Sequence, residues 1–235
     1  MLSFLHWRVD AALIQSLLPD WLQVDCFDGN AYVGLVPFSM ERVRPWWSPS
    51  IPLVSWFLET NLRTYVRTRS GRQGVWFFSL DANQRLAVRI ARGFWNLPYF
   101  DACMSLRRCA VNQHDLQRSG ITYEGIRLEQ PLANYRIQVN PSGSVPEPSQ
   151  PGTLEHFLVE RYTLFCVDGR GRMRSGDVHH QPYRVQPVRD LAVHQTVTTA
   201  HGIPVQDRSC PDHALYSPGV EVRISPLQGV PAADL

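Results

Sequence analysis

Residues 56–68, WFLETNLRTYVRT, alternate apolar and polar side chains over most of their length, a period that suits a strand and not a helix. Trp56, Leu58, Thr60, Leu62, Thr64 and Val66 fall on one parity, and Phe57, Glu59, Asn61, Arg63, Tyr65 and Arg67 on the other. Successive strand side chains point to opposite faces. One face is therefore mostly apolar, and the other carries a carboxylate, an amide, a guanidinium and a phenol in line. A strand of this kind needs others beside it, and similar runs recur. LQVDCF and AYVGLVPF flank Asp-Gly-Asn, a hairpin signal because Gly tolerates positive φ. GVWFFSL is apolar on both parities and reads as a strand buried on both faces. Further strands are expected at 100–107, 121–128, 135–139, 157–167, 183–188, 191–197 and 220–224.

Helix signals are fewer. Asp10 can cap a helix over 10–18, with Leu13, Ile14, Leu17 and Leu18 as its apolar stripe and Pro19 as its stop. Asp81 can cap a second, over 82–96, with Leu86, Ile90 and Phe94 along one side. Residues 140–153 form a flexible loop too rich in Pro, Ser and Gly to pack, and the chain after 226 reads as a loose tail. Neither side of that loop reads as self-contained, so residues 1–235 are expected to form a single domain. The fold class is mainly β (α+β), an antiparallel barrel or cone of about ten strands with two or three flanking helices.

Composition limits the chemistry. All 23 basic residues are Arg, against 21 acidic ones, and the net charge of +2 is spread along the chain. No block of positive potential points to nucleic acid. With no Lys, a lysine Schiff base is excluded. The cysteines, at 26, 103, 109, 166 and 210, lack C-x-x-C spacing and read as reduced thiols. No signal peptide and no apolar run of membrane-spanning length is visible, so a soluble, cytoplasmic protein without a membrane partner is expected. Eight His show neither H-x-H nor H-E-x-x-H spacing, no G-x-S-x-G or phosphate-binding loop is present, and no metal or cofactor is implied.

The polar face of 56–68 holds the main candidates. Arg63 can clamp a carboxylate or phosphate, Asn61 can bind a polar group, and a desolvated Glu59 can act as acid or base, with Tyr65 beyond them. The same pattern also fits a solvated outer face, or an internal Glu–Arg pair. Glu160 and Tyr162 in FLVERYTLF share a parity with Leu158 and Leu164, which fits either a structural pair or a binding group. His180, before QPY, reads as a buried hydrogen-bonding residue or a lone base. Trp76 belongs to an aromatic set with Trp46, Trp47, Trp56, Phe77 and Phe78 that suits a core or a ligand cage. Trp46 and Trp47 lie in RPWWSPSIP, a loop that suits a cavity mouth or a homo-oligomer contact. Cys210, Asp212 and His213 are close in sequence, and a Pro-containing loop accounts for them.

Several segments together, FLHWRVDAALIQSLLP, FDGNAYVGLVPFSM, FLETNLRTYV, GVWFFSLDAN, NLPYF, VERYTLF and VHHQPYRVQ, resemble the YqjF-like family of unknown function in the acetoacetate-decarboxylase-like superfamily. That resemblance implies a barrel or cone with flanking helices and a central cavity. FLETN resembles the superfamily segment that places a Glu inside, and Glu59 is the match. The enzyme that names the superfamily forms an imine on a lysine, which this chain lacks. The combined expectation is a barrel that binds a small polar or carboxylate-bearing molecule, as a lyase- or hydrolase-like enzyme working by acid–base chemistry. The alternative is a non-catalytic ligand sensor or a structural, oligomerising protein.

Overall fold

A computed structural model describes residues 1–41, 56–84, 97–110, 119–205 and 210–234. In chain order its elements are β1 (Leu2–Val9), α1 (Ala11–Ser16), β2 (Gln23–Val24), β3 (Ala31–Glu41), β4 (Trp56–Arg67), β5 (Gln73–Ala82), β6 (Tyr99–Ala110), β7 (Ser119–Arg127), β8 (Asn134–Pro141), β9 (Glu147–Pro148), α2 (Leu154–Val159), β10 (Thr163–Val167), β11 (Met173–His180), β12 (Arg184–Gln195), α3 (Val197–Ala200), β13 (His213–Ser217), β14 (Val222–Ile224) and β15 (Gln228–Gly229). A 3₁₀ turn, Ala232–Asp234, follows. Among the described residues, no helix is long and apolar enough to cross a membrane.

Nine strands close a barrel in the order β5–β6–β7–β8–β12–β13–β1–β3–β4 and back to β5. The pairings are antiparallel except β5–β6, where Leu80 lies opposite Tyr99 in parallel register. β5 also pairs in parallel with β10, which carries β11, β14 and β15 away from the barrel. Leu5, Trp7, Val33, Leu35, Leu62, Val66, Tyr123, Tyr135, Ile137 and Val139 pack together inside it. Burial of each such side chain is worth about 1.5–3 kcal/mol. Thr60 Oγ1 meets Tyr135 Oη at 2.7 Å across this interior, so the more apolar parity of β4 faces the barrel axis. Gly125 makes room for the Tyr135 ring, since a Cβ there would lie 2.3 Å from it.

An ion pair lies within the barrel. Arg127 is wholly buried, with Nε 2.8 Å from Asp81 Oδ1 and Nη2 donating to Ser79 Oγ at 2.5 Å. Its Nη1 donates to Gln130 Oε1 and to His201 Nε2, and its guanidinium lies 4.1 Å from the Phe100 ring centre. Burial raises the Asp81 carboxyl to about 6 against the pull of Arg127. Burial and the Arg127 charge lower His201 to about 4.

The structure departs from the sequence reading at several points. Asp81 is not a helix cap: β5 runs on through Ala82, and Asp81 is the partner of Arg127. The rest of the helix expected over 82–96 falls mainly outside the described residues, as do Trp46 and Trp47. The strand expected at 157–167 divides into α2 and β10. Thr153 caps α2 by accepting from His156 N, and Leu154, Phe157 and Leu158 have helical spacing on one face. The strands expected at 183–188 and 191–197 are one, β12, with a register shift between Val188 and Asp190. β1 and β13 have no counterpart in the sequence reading, and His213 lies on a strand, not in a loop. The tail is tied down: β15 pairs with β11, and the buried Asp234 accepts from the Thr68 and Ser70 hydroxyls.

Candidate functional site

Glu59, Asn61, Arg63 and Tyr65 share the face of β4 turned away from the barrel axis, and α2 covers that face at Arg63 and Tyr65. Glu59 is 4% exposed, Asn61 6% and Tyr65 0%, so this face is not solvated. Glu59 accepts from Tyr99 Oη at 3.1 Å, and its strand neighbours are Phe38 and Ala82. Burial raises the Glu59 carboxyl to about 8; the Tyr99 hydrogen bond pulls it down and the charge of Asp81 pushes it up. It therefore carries a proton at neutral pH. Burial, with Glu59 beside it, also lifts the Tyr99 phenol well above its usual range.

Arg63 Nη2 donates to Leu158 O at 2.9 Å, near the C-terminal end of α2, where carbonyls lack helical partners. Its guanidinium carbon lies 5.5 Å from the Phe4 ring centre and 5.6 Å from that of Tyr65. Tyr183 meets Phe4 edge-on at 5.3 Å, and His180 lies 4.5 Å from Tyr183 and stacks on Tyr162 at 4.7 Å. Glu160 accepts from Tyr183 N at 2.8 Å and from Tyr162 Oη, tying the end of α2 to the start of β12. Two buried polar atoms on the β4 face, Asn61 Oδ1 and Arg63 Nε, have no hydrogen-bond partner among the described residues. Buried polar atoms of this kind are rare and mark where a further polar group can bind. Among the described residues, no three His, Cys, Asp or Glu side chains are placed to hold a metal ion.

The model of the DUF2071 family, described as an uncharacterized conserved protein, matches residues 1–221. The chain belongs to this family. It is 36% identical over 200 residues to Uncharacterized protein YqjF of Bacillus subtilis (strain 168), covering 85% of this chain and 78% of that one. Among solved structures, an acetoacetate decarboxylase-like enzyme from Sphingomonas wittichii RW1 superposes with a TM-score of 0.63 at 14% identity, over 97% of this chain and 90% of that one. Acetoacetate decarboxylase from Legionella pneumophila subsp. pneumophila str. Philadelphia 1 also gives 0.63, at 11% identity over 98% and 84%. The enduracididine biosynthesis enzyme MppR complexed with pyruvate gives 0.56, at 13% identity over 94% and 87%. The fold of this DUF2071 protein is thus acetoacetate-decarboxylase-like.

Six of the seven candidate residues lie on the α2 side of the barrel wall: Glu59, Asn61, Arg63, Tyr65, Glu160 and His180. Trp76 does not join them. It lies opposite Thr64, an axis-facing residue, and lines an apolar groove of about 280 Å³ with Phe78, Leu97, Phe165 and Cys166. Sequence reasoning missed Tyr99, because a parallel β5–β6 pairing brings it beside Glu59. It also missed His6, although LSFLHW alternates like a strand and His6 shares its parity with Leu2 and Phe4.

Proposed function

We propose that the Glu59 face binds a polar, carboxylate-bearing organic molecule, with Glu59 as the acid–base group and Arg63 and Asn61 as binding groups. The carrying observation is a buried carboxyl, protonated at neutral pH and paired with Tyr99, on one strand face with two unsatisfied polar atoms. Similarity to acetoacetate decarboxylases and to a pyruvate-bound enzyme supports reading the fold as one that handles oxo acids. Below about pH 8 Glu59 can donate a proton to a ligand carbonyl; above it, the carboxylate can take one from the adjacent carbon. Arg63 Nε can donate to a ligand carboxylate, and Asn61 Oδ1 can accept from a hydroxyl or amide. Glu59 and Arg63 are about 13 Å apart along the strand, so a ligand touching both has several carbons.

The test is deuterium exchange at the carbon next to the carbonyl of pyruvate and 2-oxoglutarate, followed by proton NMR. The protein should accelerate exchange, increasingly as pH rises through about 8, and Glu59→Gln should abolish the acceleration. Binding of both probes without exchange would leave a ligand site and remove the acid–base role. Absence of both binding and exchange would remove the reading altogether.

A further inference from the structure

Strand register places four residues in one row on the face opposite the barrel axis. His213 of β13 lies opposite His6 of β1, His6 opposite Gly34 of β3, and Gly34 opposite Arg63 of β4. Gly34 is needed for close approach: a Cβ there would lie 3.0 Å from His6 Cδ2 and 3.5 Å from Tyr65 Oη. In the space it leaves, Tyr65 Oη lies 2.8 Å from His6 Nε2. His6 Nδ1 lies 3.5 Å from His213 Nδ1, and His213 Nε2 lies 3.6 Å from Glu155 Oε1 of α2. Glu155 is partly exposed, whereas His6 and Tyr65 are wholly buried. Polar contacts therefore run from the surface to the residue beside Arg63.

The direction of these contacts is constrained by proton count. Tyr65 has one phenolic proton and two neighbours within reach of it, His6 Nε2 and Leu158 O, the latter at 2.7 Å and able only to accept. Burial, and then the charges of His213 and Arg63, hold His6 neutral with a single N–H. Two arrangements satisfy the set. In one, Tyr65 donates to His6 Nε2, His6 Nδ1–H donates to His213 Nδ1, and a neutral His213 offers Nε2–H to Glu155. Leu158 O then accepts from Arg63 alone. In the other, Tyr65 donates to Leu158 O, His6 Nε2–H donates to Tyr65, and His213 carries protons on both nitrogens, one toward His6 and one toward Glu155. The second holds one more proton than the first, taken from solvent onto the pair of histidines. His6 has one proton in both, on a different nitrogen.

We propose that His213 and Glu155 act through His6 as positioning residues for Arg63, the protonation of His213 deciding whether Tyr65 shares Leu158 O and so frees the guanidinium for a ligand carboxylate. This rests on reading Arg63 as a binding group. The charged groups facing the relay are Arg63 from β4, Arg161 with its ring contact to Tyr65 at 5.4 Å, and Glu155 from α2. Burial lowers His213 and Glu155 draws it back up, so the extra proton is tied to the presence of Glu155.

The experiment uses the ligand-free full chain with ¹⁵N-labelled histidine, reading imidazole nitrogen shifts of His6 and His213 against pH. His6 should move from Nδ1–H to Nε2–H over the same interval in which His213 gains its second proton. Glu155→Gln, on the surface, should shift both changes together to lower pH. His213→Phe should leave His6 in one tautomer at every pH. In the intact protein, 2-oxoglutarate should bind several-fold more tightly below the His213 midpoint, and His213→Phe should lose that dependence. A His6 tautomer unchanged through the His213 titration overturns the relay, and a swap with pH-independent binding overturns its link to Arg63. Failure of the probe to bind at any pH overturns the reading of Arg63 as a binding group, and it is distinguishable because the tautomers are read without ligand.

Discussion

Replacing Glu59 by Gln should make the protein more stable at alkaline pH, and the size of the gain follows from its burial. The carboxyl ionises near 4.5 in an unfolded chain and at about 8 in the folded one. Between those values the folded form holds a proton that the unfolded form has lost, so stability falls as pH rises. Glu59's contribution is fully present below about pH 4.5 and is lost as pH passes through about 8. The whole change is about 5 kcal/mol, at most about 1.4 kcal/mol per pH unit, against a total stability of about 5–15 kcal/mol. Asp81, raised to about 6, acts in the same direction at lower pH, so the wild-type curve alone would mix the two. The amide that Glu59→Gln introduces can still accept from Tyr99 and does not titrate. Urea unfolding of wild type and Glu59→Gln at a series of pH values should give similar stabilities near pH 5. The gap should widen in favour of the variant until it levels off above about pH 8. Parallel stability curves would refute the buried, proton-holding carboxyl.

Arg127→Met should destabilise the protein by about 3–5 kcal/mol, because it leaves Asp81 buried without its cation; adding Asp81→Asn should recover part of the loss in the same urea assay. Tyr99→Phe removes the donor that pulls the Glu59 carboxyl down, so the pH transition seen in the wild-type minus Glu59→Gln difference should move upward, at a stability cost of about 1 kcal/mol. Gly125→Ala puts a methyl 2.3 Å from the Tyr135 ring and should cost about 1–3 kcal/mol, with the near-ultraviolet tyrosine signal altered.

The parts of this fold that were legible are those written in short stretches of chain. Asp28 and Gly29 have φ of 47° and 78°, the two positive values of the tight turn that Asp-Gly signals, and Phe27 and Asn30 bridge across it. The hairpin expected around that turn does not form, because β2 pairs with β4 and not with β3. The alternation in β4 separated Thr60, Leu62, Thr64 and Val66 from Glu59, Asn61, Arg63 and Tyr65, and the barrel keeps that division. What the alternation could not say is which side of the wall the polar set would occupy. Thr60 reaches Tyr135 across the interior, 75 residues along the chain, and that pairing turns Glu59 to the outer face, beside Tyr99. Asp81 shows the same limit. Its local sequence looks like a helix cap, and only the fold brings Arg127 against it. α2, six residues long, is too short to display a helical period, so its apolar residues read as strand.

The missing lysine bears on the site through geometry as well as composition. The amine of Met1 donates to Ser39 Oγ at 3.3 Å. Ser39 follows Phe38, the cross-strand neighbour of Glu59, and so points to the other face of β3. No amine therefore stands beside Glu59; a phenol does. A carboxyl and a phenol that both hold their protons at neutral pH can donate two hydrogen bonds to a carbonyl oxygen as negative charge develops there, but neither can form an imine. General acid–base catalysis of that kind is worth about 10²–10⁴ in rate, enough to drive proton exchange next to a carbonyl. On the proposed reading, Glu59 would move a proton next to a ligand carbonyl without an imine, and the exchange experiment measures that step directly.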